Sequence, residues 1–122
     1  MNENLKNKSI GIVFSGGGVR GMAHIGLIRA LIEFGVSAKV VSGSSVGALV
    51  GALYANGNSV DEMLSFFKET PLFKYNFITI LKPGFLDTDR YFEVFKAYFP
   101  ENTFHSLQKN LLSILEQYHL QL

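Results

Sequence analysis

The sequence predicts an α/β fold built on a mainly parallel sheet, and three observations lead there. Ile10-Gly-Ile-Val-Phe14 is a short apolar run rich in β-branched residues, and Val36 to Val41 is another; both are apolar on each face, as buried parallel strands are. Each run enters a loop containing glycine, Gly16 to Gly18 after the first and Gly43 after the second. Each loop then opens a segment with helical periodicity. Strand, glycine loop and helix, repeated, make a βαβα unit in which a crossover helix joins parallel neighbours.

The elements follow in order. Residues 1–8 read as a polar tail. From Met22 to Phe34 the apolar positions Ala23, Leu27, Ala30, Leu31 and Phe34 recur at helical spacing, and Gly35 supplies a C-cap. Ser44-Ser45 opens a helix over Val46 to Ala55, closed by Asn56-Gly57. Ser59 is placed to cap a helix over Asp61 to Glu69, with Glu62 as the capping-box partner. Pro71 ends that helix, Leu72 to Leu81 is aromatic-rich and irregular, and Lys82-Pro83-Gly84 marks a turn. Asp87 or Thr88 caps a further helix running to about Phe99, where Pro100 stops it. Leu111, Leu115, Tyr118 and Leu122 share one helical face, so residues 109–122 are expected to form a helix.

Composition narrows the function classes. The chain has 122 residues, enough for one domain, with 48% hydrophobic and 17% charged residues, a globular balance. A formal charge of +1 gives no basic field for nucleic acid. With Cys 0 there is no disulfide scaffold, thiolate metal site or cysteine nucleophile. No secretory signal opens the sequence, which predicts a cytoplasmic location. From Val40 to Val60 no charge occurs, and Gly43, Gly47 and Gly51 have the spacing of a membrane helix-packing face. Serines and asparagines break the run below the roughly 20 apolar residues a span needs, so no transmembrane span is expected.

Gly16-Gly-Gly-Val-Arg-Gly21 matches G-x-G-x-x-G between a strand and a helix, the context of a dinucleotide-binding loop. That reading wants an acid at the end of the second strand, and none occurs between Glu33 and Asp61. Gly43-Ser-Ser-Val-Gly47 is a G-x-S-x-G at the next strand-to-helix junction. A serine nucleophile needs an exposed Oγ on a sharp turn, and Gly43 and Gly47 flank Ser45 where a Cβ would crowd that turn. The bland alternative is a helix start with an ordinary N-cap serine. Ser44 and Val46 complete the elbow, with Ser44 as a cap or spacer. Both glycine loops would lie at one sheet edge, where Gly16 to Gly18 can turn their N–H groups toward a developing oxyanion at Ser45.

These paired motifs, with Ala23-His-Ile-Gly26 between them, resemble the patatin-like phospholipases over roughly Ser9 to Gln108. The resemblance implies a three-layer α/β fold and a serine lipid acyl hydrolase using a Ser-Asp dyad, with no metal or cofactor. Carried over by position, Ser45 is the nucleophile and Gly16, Gly17, Gly18, Arg20 and Gly21 form the oxyanion loop. The implied partner is a lipid or acyl-ester substrate, met with peripheral contact at a membrane surface. The implied Asp lies in D-G-G or D-G-A, and no acid after Ser45 has that context. The expectation is therefore a partial domain over 9–108, an atypical segment over 109–122, a truncated copy, and little hydrolysis by these residues alone.

The remaining candidates carry plainer readings. His24 packs or caps, and His105 and His119 lack a strand-end setting, so a histidine triad is disfavoured. Arg20 contacts an anionic head group or stabilises the loop. Asp87 and Asp89 serve a helix N-terminus. Phe66, Phe67, Phe73, Tyr75, Phe77 and Phe85 are read as core before an acyl channel. Two other functions stay open: a non-catalytic lipid or anion-binding fragment, and a nucleotide-binding module.

Overall fold

A computed structural model describes residues 9–70, 88–101 and 103–113 of the chain. Strand β1 (Gly11–Phe14) leads through a 3₁₀ turn (Gly18–Met22) into helix α1 (Ala23–Glu33). Strand β2 (Val40–Gly43) leads directly into helix α2 (Val46–Ala55), followed by α3 (Val60–Glu69), α4 (Thr88–Tyr98) and strand β3 (Asn110–Ser113). The sheet has order β1-β2-β3 with both pairings parallel, so β2 is central. This is the α/β class expected from the two strand–loop–helix repeats.

The helix ends follow the glycines. At the end of α1, Gly35 adopts φ 67°, its N–H bonds Ile32 O at 3.0 Å, and the Val36 N–H bonds Leu31 O at 2.8 Å. That pair is a Schellman motif, which satisfies carbonyls the helix would leave bare. Gly57 repeats it after α2 at φ 87°, with its N–H on Tyr54 O and that of Asn58 on Leu53 O, both at 3.1 Å. Ser59 and Glu62 form the expected capping box at the start of α3.

Two elements depart from the sequence reading. The second strand is expected over Val36 to Val41 but runs Val40–Gly43. The Schellman turn ties Val36 back to α1, and the Ala38 N–H goes to the buried Tyr54 hydroxyl. Pairing with β1 starts only where the Lys39 N–H reaches Ile10 O at 2.9 Å. The second departure is the tail. Asn110–Ser113 is a strand rather than the start of a helix, set beside β2 with Leu111 opposite Val41. An extended chain there can pair the free edge of β2, a tertiary gain that overrides the helical spacing. Lys109 anchors the entry: its N–H bonds Ala55 O at 3.1 Å and its Nζ bonds Ser37 Oγ at 2.8 Å. Residues 114–122, including the rest of the expected helix and His119, lie outside the described residues, as do 71–87.

The core gathers on one face of the sheet. Phe14 and Val41 from the strands, Ile28 from α1, Val50 and Leu53 from α2, and Met63 and Phe66 from α3 are fully buried. On the opposite face Val13 is 79% exposed. Phe66 and Phe67 are core residues, and the Phe66 ring meets Phe95 and Tyr98 of α4 edge-on at 5.4 and 5.1 Å. The other aromatics read as core, Phe73, Tyr75, Phe77 and Phe85, lie outside the described residues. No helix among the described residues is long and apolar enough to cross a membrane.

Candidate active site

The parallel register brings the two glycine loops together. Phe14 ends β1 opposite Gly43 at the end of β2, so both chains leave the sheet at the same edge. The Ser44 N–H continues the ladder to Phe14 O at 3.1 Å. Beyond it the chain turns sharply into α2.

Ser45 stands at that turn with φ 52° and ψ −129°, and among the described residues no other non-glycine residue has positive φ. It occupies the N-cap position of α2, yet its side chain makes no capping hydrogen bond. Ser59, capping α3, shows what an ordinary N-cap serine does. Its backbone is extended at φ −69° and ψ 162°, and its Oγ accepts the Glu62 N–H at 3.2 Å. The ordinary-cap reading fits Ser59 and not Ser45. A serine held in a sparsely populated conformation, exposed and with its hydroxyl unused by the helix, is an observation that directs attention to function.

The surrounding glycines explain how such a turn can close. A Cβ on Gly47 would collide with the backbone carbonyl of Phe14 and lie 2.5 Å from Ser15 O. A Cβ on Gly43 would lie 2.5 Å from Gly47 O and 2.7 Å from Ala48 N. On Gly21 it would meet Val46 Cγ1 at 2.7 Å. The first turn of α2 therefore rests directly on the end of β1 and on the glycine loop, with no room for side chains between them.

The glycine loop lies against the serine. A Cβ on Gly16 would be 3.4 Å from both Ser44 Oγ and Ser45 Cβ, ordinary contact distance. The Gly16 N–H donates to Ser44 Oγ at 3.0 Å. Gly17 precedes the 3₁₀ turn, Gly18 opens it at φ 55°, and the Arg20 N–H closes it on Gly17 O at 3.2 Å. The first N–H groups of such a turn have no partner within it, so Gly18 and Val19 present donors at its start. The N-terminus of α2 adds its positive dipole end at Ser45. Arg20 is exposed, and the ties that shape the loop are its own backbone N–H on Gly17 O and the Ser44 hydroxyl on the Gly16 N–H.

Two residues make contacts whose partners the sequence could not specify. Ser44, expected as a cap or spacer, reaches a residue 28 positions earlier. His24 joins its Nε2 to Ser15 O at 2.9 Å and packs its ring 5.2 Å from that of Phe14, which places it as a brace under the loop. That is the packing role expected of it. His105 is exposed on a short 3₁₀ turn (Phe104–Ser106). Asp89 lies within α4, and Asp87 lies outside the described residues. Among the described residues no group of three or more His, Asp or Glu side chains could hold a metal.

The dinucleotide reading loses its geometric basis. In that fingerprint the glycines lead straight into the N-terminus of an α-helix that receives the pyrophosphate. Here α1 begins only at Ala23, after the 3₁₀ turn, and Gly16 spends its N–H on Ser44.

Comparison with known proteins agrees with the paired loops. The chain is 57% identical over 51 residues to the lysophospholipase NTE1 of Pyricularia oryzae, covering 42% of this chain and 3% of that protein. It is 50% identical over 68 residues to a putative patatin-like phospholipase domain-containing protein, M110.7, of Caenorhabditis elegans, covering 53% of this chain and 6% of that one. The chain thus spans a small fraction of the length of these relatives. The family model described as patatin-like phospholipase matches residues 12–118, which takes in both glycine loops and extends past the boundary expected at residue 108. With that match running from β1 through β3, the chain belongs to the patatin-like phospholipase family.

Proposed function

We propose that this site is that of a serine acyl hydrolase acting on ester bonds of phospholipids or related acyl lipids, with Ser45 as nucleophile. The observation that carries the reading is the backbone of Ser45, φ 52° and ψ −129°, beside a glycine loop so near that a Cβ on Gly16 would touch Ser45 Cβ. Family membership and the lysophospholipase relatives support the substrate class.

In the proposed reaction, Ser45 Oγ bonds to the ester carbonyl carbon while its proton passes to a base. The carbonyl oxygen gains negative charge and is met by the N–H donors of Gly18 and Val19 at the start of the 3₁₀ turn, in a loop shaped by Gly17, Arg20 and Gly21, with the dipole end of α2 behind the serine. Collapse breaks the bond to the leaving alkoxide, which takes a proton, and water then releases the acid from Ser45. Gly43, Ser44, Val46 and Gly47 hold the elbow. Lipid substrates place this chemistry at a membrane surface by peripheral contact.

The base is the part these 122 residues do not supply in the form the family resemblance implies, since no acid after Ser45 stands in D-G-G or D-G-A. A serine without a positioned base is a poor nucleophile near neutral pH. The proposal is therefore covalent capture at Ser45 with little turnover by these residues alone. A fluorophosphonate probe should label the chain, and Ser45→Ala should abolish the label. A label that survives Ser45→Ala sinks the nucleophile assignment. Rapid turnover of p-nitrophenyl esters by this chain, lost in Ser45→Ala, overturns the claim of weak hydrolysis instead.

A further inference from the structure

The hydroxyl next to the nucleophile has a partner that the reaction above does not require. Ser44 Oγ accepts the Gly16 N–H at 3.0 Å, across 28 residues of sequence. Among the described residues it is the one side-chain hydrogen bond that joins the glycine loop to the elbow. The other ties of that region are local or belong to the sheet. His24 holds Ser15 O, the Arg20 N–H closes on Gly17 O, and the Ser44 N–H extends the strand ladder to Phe14 O. None of them fixes how far the loop stands from the serine side chain.

We propose that Ser44 is a positioning residue, whose hydroxyl clamps the Gly16 N–H and so sets the distance and register of the oxyanion loop against Ser45. The proposal rests on the acyl-hydrolase reading of this site and adds a division of labour among the glycines. Gly16 gives its N–H to the clamp, and the donors for the anion come from the positions after it. The geometry makes the clamp consequential. Gly16 lies close enough to the nucleophile that a Cβ placed on it would reach Ser45 Cβ at 3.4 Å. Oxyanion donors work at about 2.7–3.1 Å from the developing charge, so a loop that drifts by about 1 Å loses its purpose. Gly16, Gly17 and Gly18 have no side chains with which to hold themselves in place, and Gly18 already sits at φ 55°. A tripeptide without side chains opposite a nucleophile needs a tie from elsewhere, and Ser44 is built into the elbow itself.

The test uses the whole 122-residue chain with Ser44→Ala, Ser44→Thr and Ser44→Val. Three quantities are measured: the second-order rate of fluorophosphonate labelling, hydrogen exchange of the Gly16 amide by NMR, and the thermal midpoint. Threonine keeps the acceptor oxygen, whereas valine has the same shape without it. Ser44→Ala and Ser44→Val are expected to label about 10- to 100-fold more slowly and to lose protection at Gly16, while Ser44→Thr stays within about threefold of the parent. A purely structural role would slow labelling only in step with a fall in the thermal midpoint, whereas the clamp slows labelling at temperatures where the variants stay folded. Labelling of Ser44→Ala at the parent rate, or Gly16 exchange that is the same with and without the hydroxyl, overturns the proposal. Failure of the hydrolase reading shows itself separately, as a parent label that survives Ser45→Ala. In that case Gly16 exchange in Ser44→Ala against Ser44→Thr still judges the clamp.

Discussion

Replacing Gly47 with alanine adds a single methyl group at the point where α2 rests on β1. A Cβ there would overlap the carbonyl of Phe14 and stand 2.5 Å from Ser15 O, about 0.9 Å short of the 3.4 Å at which ordinary contact begins. Those neighbours are backbone atoms of a paired strand and its exit, so no rotamer change relieves the overlap. Phe14 O already accepts the Ser44 N–H, and Ser15 O already holds His24. The relief available is a shift of α2 away from β1 by nearly 1 Å, carrying Ser45 with it. Overpacking of this kind costs about 1–3 kcal/mol, and an unyielding backbone puts Gly47→Ala at the upper end. In a domain of this size that lowers the melting midpoint by about 5–15 °C. A displacement of about 1 Å at the proposed nucleophile costs on the order of 100-fold in rate. Gly26→Ala is the matched control. It lies in α1 with no atom within 4 Å of its added Cβ, so it should stabilise by about 0.5–1 kcal/mol and leave Ser45 labelling unchanged. Melting curves and fluorophosphonate labelling of the two variants decide the matter. If Gly47→Ala melts like the parent and labels within threefold of it, the steric account of the elbow is wrong.

Three further outcomes follow from the same geometry. Ser45→Gly should be more stable than Ser45→Ala by about 1 kcal/mol, because glycine carries no penalty at φ 52° whereas alanine keeps it; equal melting midpoints would remove the claim of strain. Tyr54→Phe takes away the acceptor of the buried Ala38 N–H, at 3.1 Å, and should destabilise the chain by about 1–3 kcal/mol, read from chemical denaturation. Glu62 has its carboxyl held below the ordinary range, chiefly by the Ser59 backbone N–H and then by the Ser59 side chain. Its depressed folded-state value means that its contribution is present above the unfolded glutamate range and is lost as pH falls through the folded value. The stability difference between the parent and Glu62→Ala should therefore be full near pH 7 and shrink in acid; a difference independent of pH would show that the ionised form has no part in the capping box.

Much of this arrangement is legible in the sequence because it depends on local chemistry. The G-x-S-x-G spacing points to Ser45, since the need for glycine on both sides of a sharp turn is written into the turn itself. Gly35 and Gly57 end their helices where the sequence puts them, each with positive φ and a Schellman pair. Ser59 and Glu62 meet because a capping box spans one helical turn. The readings that moved depend on partners distant in sequence. Val36 to Lys39 have the composition of a strand, but their hydrogen bonds go to Leu31, Tyr54 and Ile10, so β2 starts at Val40. Leu111 and its neighbours have the spacing of a helix, yet an open strand edge beside Val41 draws Asn110–Ser113 into the sheet.

The two serines of the elbow divide the matter most sharply. The sequence by itself determined the α/β class, the pairing of two glycine loops and the choice of Ser45 as the candidate nucleophile, because strand composition, helix periodicity and the steric demands of a tight turn act within a few residues. Only the tertiary structure decided that Ser45 leaves its helix without a side-chain cap, and that Ser44 reaches back to Gly16. Ser44 and Gly16 are neighbours because β1 and β2 are parallel with Phe14 opposite Gly43. Register between strands is set by burial and pairing across the whole sheet, which no local pattern records.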